Sequence, residues 1–162
     1  MTTCFEDICN CSCNLQDATF NDIIKAETNF KFSLYDICHS NIGWFTDTSI
    51  CSDHYLTKWT IDTNEGIYFL WHKDGYCDKH NLFHMKCLYV GKGQILRRII
   101  NHFKLKDFSQ EMLVYFTYFT MSNRQSKYVE QLILDNYNIP HNKYEKKGSK
   151  NLCMYFTQNE VD

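Results

Sequence analysis

The stretch that decides the fold begins Gly66-Ile67-Tyr68-Phe69-Leu70-Trp71 and returns as Cys87-Leu88-Tyr89-Val90-Gly91-Lys92. Both runs are rich in β-branched and aromatic residues, and a polar connection separates them, so they read as a hairpin. Each run carries a tyrosine close to a glycine, which lets both phenols reach one sheet surface. After Gly91 the apolar period changes from two to 3.6, with Leu96, Ile99, Ile100 and Phe103 forming one helical stripe. Arg98 and His102 are four apart on that helix and share a polar face directed away from the stripe.

Further along, Met112–Thr120 reads as a third strand, and Ser122 or Asn123 can cap a second helix over about residues 124–137. Val129, Leu132, Ile133 and Asn136 or Tyr137 would face the core, with Glu130 beside that stripe. Pro140 enforces the stop and His141-Asn142-Lys143 follows. Asn151–Thr157 reads as a closing strand. The expectation is an α/β (α+β) domain with a small three-stranded antiparallel sheet flanked by helices. It spans residues 64–162 behind an N-terminal extension over residues 1–63.

The ordered set Tyr68, Tyr89, Gly91, Arg98, His102, Glu130 and Asn142 resembles the GIY-YIG nuclease family, with Gly66-Ile67-Tyr68 and Tyr89-Val90-Gly91 standing for the two name-giving tripeptides. The resemblance covers roughly residues 64–145. Twenty residues separate Tyr68 from Tyr89, about twice the family's usual gap, so an enlarged hairpin connection is expected. The step from Gly91 to Arg98 is one residue short, which predicts a trimmed loop before the helix.

The resemblance implies divalent-metal-dependent hydrolysis of DNA that leaves a 5′ phosphate. Glu130 would hold a single Mg²⁺ or Mn²⁺, which keeps several waters and binds phosphate oxygens as well. Arg98 would stabilise charge on the phosphorane-like transition state. Tyr68 or Tyr89 would take the proton from attacking water, with Lys92, Arg98 or the metal favouring the phenolate. His102 would bridge to a phenol or to phosphate. Gly66, Gly91 and Asn142 would hold the geometry. Taken singly, each residue has an ordinary explanation: strand tyrosines pack, helix charges are solvated, and an asparagine after proline sits in a turn. Their order is what points to a nuclease.

Composition bounds the partners. The formal net charge of −2 lacks the basic excess of a dedicated nucleic-acid binder. The charge is unevenly placed, however. Residues 1–64 hold Lys25, Lys31 and Lys58 against nine acids, leaving fourteen Lys and Arg against ten acids in residues 65–162. Lys92, Arg97, Lys104, Lys106, Lys146 and Lys147 are the candidate contacts to duplex DNA. Restriction, homing or mobile-element interference would suit such an enzyme, and cutting both strands with one site per chain favours a homodimer or sequential nicking. Two other readings stay open: an RNA-cleaving toxin on the same scaffold, and a catalytically weak nucleic-acid-binding module.

The nine cysteines are an odd number, and neither a secretory leader nor an apolar run of about 18–20 residues is visible. An intracellular chain with reduced thiols is expected, in the cytoplasm or in a host cytoplasm if a virus or mobile element encodes it, with no membrane partner. Cys4, Cys9, Cys11 and Cys13 are spaced too tightly for one tetrahedral zinc. Cys77, His80, His84 and Cys87 offer four zinc donors, but one short loop rarely wraps a whole tetrahedron. Zinc is therefore not expected, and this segment reads as a loop whose histidines and lysines (Lys73, Lys79, Lys86) face solvent or DNA. Towards the N-terminus, Ala18–Glu27 reads as a helix capped by Asp17, Lys31–Cys38 as an alternating strand, and residues 39–63 as irregular with Trp44, Phe45, Tyr55 and Trp59 as anchors.

Overall fold

A computed structural model describes residues 32–45, 65–78, 80–95, 97–99, 101, 114–143, 148–149 and 151–161. Its centre is a five-stranded antiparallel sheet, so the chain is α+β, with two strands more than the sequence suggested. In chain order the elements are α1 (Leu34–Cys38), β1 (Gly43–Phe45), β2 (Glu65–Cys77) and β3 (Leu82–Gln94), then β4 (Val114–Thr120), α2 (Asn123–Asn136), β5 (Cys153–Phe156) and α3 (Gln158–Val161). The described residues between 95 and 101 are helical and follow β3 directly. In space the strands run β1-β4-β2-β3-β5.

The β2–β3 hairpin is the spine. Each strand is 13 residues long, and residues 78–81 make the connection, with Asn81 in the left-handed region at φ 54°. The enlarged loop expected between the tripeptides is therefore absent; the extra residues lengthen the two strands. Lys73 and His84 belong to the ladder, and Lys73 Nζ lies 3.8 Å above the Phe83 ring instead of facing DNA. Two register shifts, at Leu70/Trp71 and Lys73/Gly75, accommodate bulges that keep so long a hairpin twisted.

The continuous apolar run in β2 follows from burial on both sides. Ile67, Phe69 and Trp71 join one cluster with α1, Val129 and Ile133 of α2, and Met154 and Phe156 of β5. Tyr68 and Leu70 join a second cluster with Ile95, Ile99, Val114 and Phe116. Inside the first cluster, Trp71 Nε1 donates to Thr117 Oγ1 at 2.8 Å, satisfying the one polar atom of the indole.

Several expected elements recur with small changes. Ser122 is the cap of α2, accepting from Gln125 N, while the Gln125 side chain reaches back to Ser122 N. The helix ends at Asn136, with Tyr137 as its cap, and β5 falls inside the expected closing strand. The segment 34–38 is a correction: it is helical, not a strand. Ser33 Oγ accepts from Asp36 N at 3.1 Å and Asp36 Oδ2 accepts from Ser33 N at 2.9 Å, so a capping box outweighs the short alternation. The segment expected to be irregular contributes β1, paired to β4 through Gly43–Phe116 and Trp44–Tyr115. Residues 43–45 thus belong to the same sheet as β2–β5, and α1 packs into its first cluster. The readings made for residues 1–31 and 46–63 lie outside the described residues.

Candidate active site

The site grows from the Tyr68–Gly91 register of the hairpin. Tyr68 stands opposite Gly91 and Leu70 opposite Tyr89, so both phenols lie on the sheet side that carries the second cluster. Their ring centroids are 6.0 Å apart. A Cβ on Gly91 would collide with the Tyr68 hydroxyl and come within 2.7 Å of the Tyr89 ring, so only glycine lets the two rings converge. Gly66 does a similar job one turn of the ladder away, where its bare Cα admits the Phe119 carbonyl of β4.

Gly93, which the sequence reading did not single out, sets the next step. Its φ of +112° is a backbone conformation that side-chain-bearing residues rarely adopt. It turns the chain from β3 into the helical residues that begin at Ile95, and its Cα lies against the Arg98 side chain. The direct passage from strand to helix at Gln94–Ile95 takes the place of the trimmed loop expected between Gly91 and Arg98. The signal was present in the Gly91-Lys92-Gly93 spacing.

Asn142 is buried and acts on the strand between the phenol and its glycine. Val90 N donates to Asn142 Oδ1 at 3.0 Å, and Asn142 Nδ2 donates to Val90 O at 2.9 Å. One amide side chain thus serves as a strand residue on the edge of β3 that β5 leaves uncovered. His141 N to Leu88 O (2.9 Å) and Cys87 N to Leu152 O (2.8 Å) extend the same edge. The backbone on either side of Val90, and with it Tyr89, is held in register.

Electrostatics tie the remaining residues together. Burial pushes the Tyr68 hydroxyl well above the ordinary tyrosine range; Tyr89 and Glu130 push the same way, and Arg98 opposes them. Tyr89 is half-buried, and burial followed by Glu130 raises it, while the neighbouring Tyr68 hydroxyl and the Arg98 guanidinium pull it down. The interaction between the two phenols raises Tyr68 and lowers Tyr89, so Tyr89 is the one whose anion is the more favoured. Tyr68, Tyr89, Arg98 and Glu130 therefore act on one another although they come from β2, β3, the following helical turn and α2.

Lys92 is excluded from this group. It pairs with Ile67 in the ladder, on the side of the first cluster, so the cation the phenols feel is Arg98. Arg97 is exposed and borders an open cleft with Glu65, Gln94, Arg98 and Asn101. Of those five, Glu65, Gln94 and Asn101 were missed by the sequence reading, since no motif marks them. His102, Lys104, Lys106, Lys146 and Lys147 lie outside the described residues.

The four residues weighed as zinc donors are dispersed. Cys77 Sγ and His80 Nδ1 approach to 3.3 Å, His84 faces Asp74 at 3.6 Å, and Cys87 is buried in the first cluster. Among the described residues no group of three or more His, Cys, Asp and Glu side chains is arranged to hold a metal ion, and Cys38, Cys77, Cys87 and Cys153 form no disulfide. No helix among them is long and apolar enough to cross a membrane. Comparison with protein-family models, curated proteins and solved structures finds no match to this chain.

Proposed function

We propose that the chain is a divalent-metal-dependent endonuclease that hydrolyses DNA phosphodiester bonds at a GIY-YIG-like site. The observation that carries the reading is the convergence of two phenols, one guanidinium and one carboxylate from four separate elements. Both charged groups act on both phenols, one buried and one half-buried.

In this reading Arg98 binds the scissile phosphate with two donors and stabilises the charge that builds on it. Tyr89, in its phenolate form, would accept the proton of the attacking water and become a neutral phenol, with Arg98 and Tyr68 favouring that anion beforehand. Glu130 is a half-exposed carboxylate, an oxygen donor that suits a hard ion retaining most of its waters. Such an ion, when bound, neutralises phosphate charge and stabilises the departing 3′ oxygen. Positive charge held at Glu130 would offset the carboxylate's upward push on Tyr89. Asn142 keeps Tyr89 and Gly91 in register while this occurs. DNA as the partner implies an intracellular setting.

The test is cleavage of supercoiled and linear DNA by purified protein with Mg²⁺ or Mn²⁺, with EDTA, Glu130→Ala and Arg98→Ala as controls. Nicking or linearisation that EDTA stops, and that Arg98→Ala lowers about 10²–10³-fold, is the expected result. Cleavage retained by Glu130→Ala sinks the assignment of the metal ligand. RNA cut in place of DNA moves the reading to a ribonuclease, and binding without cutting moves it to a binding module.

A further inference from the structure

The cleft beside Arg98 has a volume of about 470 Å³ and is lined by Glu65, Gln94, Arg97, Arg98 and Asn101. All five are polar or charged, which is unlike the mostly apolar lining of ordinary small-molecule pockets. Its size lies in the small-ligand range, roughly 300–1,000 Å³, enough for one nucleotide and too little for a base pair with its backbones.

The arrangement separates two kinds of contact. Glu65 and Gln94 face each other across the end of the β2–β3 ladder. Arg97 and Asn101 are four apart on the helical residues and so point from one face. Arg98 belongs both to this cleft and to the phenol cluster. A phosphate at Arg98 is repelled by Glu65, so the base occupies the Glu65 end. An ionised carboxylate only accepts hydrogen bonds, so it selects a base edge with adjacent N–H donors, and guanine presents two. The amides of Gln94 and Asn101 can both donate and accept, which suits the remaining carbonyl and ring nitrogen.

We infer that this cleft is a base-recognition subsite that takes a single unstacked guanine nucleotide next to the phosphate bound by Arg98. The edge Glu65 would read is engaged in pairing within a duplex, so the nucleotide must leave the stack, at a cost of a few kcal/mol that mismatched or single-stranded positions largely escape. Substrates with an unpaired or easily unpaired guanine beside the cut are therefore preferred. The inference rests on the nuclease reading for its choice of a nucleotide as ligand.

The experiment titrates the full chain, in EDTA, with each of the four deoxynucleoside 5′-monophosphates and with inorganic phosphate. The side-chain amide signals of Gln94 and Asn101 and the guanidinium signal of Arg97 report binding by NMR. dGMP should move all three and bind about tenfold more tightly than dAMP or dTMP, the discrimination one good bidentate contact provides. Glu65→Gln should abolish that preference while phosphate still moves the arginine signal, and its unchanged far-ultraviolet dichroism shows that it folds. Equal response to all four nucleotides, or a guanine preference that survives Glu65→Gln, overturns the subsite. Because no metal is present, selective dGMP binding by a protein that fails to cut DNA supports the subsite and removes the nuclease. Cutting without dGMP selectivity does the reverse.

Discussion

At the scale of single residues, the two phenols have different tasks because their surroundings differ. Tyr68 is wholly buried; Tyr89 is half-buried, raised by the Glu130 carboxylate and lowered by the Arg98 guanidinium. Glu130→Gln should lower the pH at which Tyr89 ionises, and Arg98→Gln should raise it. The tyrosinate absorbance or ring-carbon NMR of the two variants reads both signs. A metal bound at Glu130 should act in the same direction as Glu130→Gln, which makes Mg²⁺ addition to wild type a third arm. Asn142 makes a different kind of contribution. Asn142→Ala strips Val90 of partners for both its N–H and its C=O in a buried place, each worth about 1–3 kcal/mol. A loss of about 2 kcal/mol or more in denaturant unfolding is expected.

At the scale of elements, the hairpin and its exit decide the site. Gly91→Ala forces the Cβ into both tyrosine rings, an overpacking of about 1–3 kcal/mol that also displaces the phenols. It should lower cleavage far more than Ser122→Ala, which removes a helix cap worth about 1 kcal/mol and leaves the phenols in place. Comparing cleavage rates of the two variants at matched stability separates site geometry from general destabilisation. The sequence made much of this element legible. The apolar run of β2, the period change after Gly91 and the cap before α2 are local signals, and all three are seen. The length of the hairpin was hidden because Lys73, Asp74, Gly75 and Tyr76 look like loop residues, and only bulges keep them in a ladder. The α1 helix was read as a strand because five residues carry too little periodicity to outvote one alternating trio. The cleft residues Glu65, Gln94 and Asn101 meet only after the chain has folded, so no spacing announces them.

At the scale of the whole molecule, the sheet is covered on both sides, and the acid groups trapped there shape its response to pH. Tyr68, Cys38 and Cys87 are all raised by burial. A group whose folded pKa lies above its unfolded one holds its proton longer in the native state. The stability it contributes is complete below the unfolded value, about 10 for tyrosine and 8.5 for cysteine, and is lost as pH climbs towards the folded values. The protein should thus weaken progressively in alkali, beginning above about pH 8.5. Unfolding followed across that range should show a shallower decline in Tyr68→Phe than in wild type. Edge strands β1 and β5 bound the sheet, and α1 and β1, from the segment read as an extension, close one side of the structure that carries the site.

The central claim is that Tyr89, aided by Tyr68 and Arg98, accepts the proton from water at a site where Glu130 holds a divalent ion. Single-turnover cleavage of a labelled DNA duplex, measured against Mg²⁺ concentration for wild type, Tyr89→Phe and Glu130→Gln, tests it most directly. Tyr89→Phe should lower the maximal rate about 10²–10⁴-fold, the usual contribution of a general base, without moving the half-saturating Mg²⁺ concentration. Glu130→Gln should raise that concentration beyond reach. A Tyr89→Phe rate equal to wild type, with Mg²⁺ dependence intact, would contradict the account.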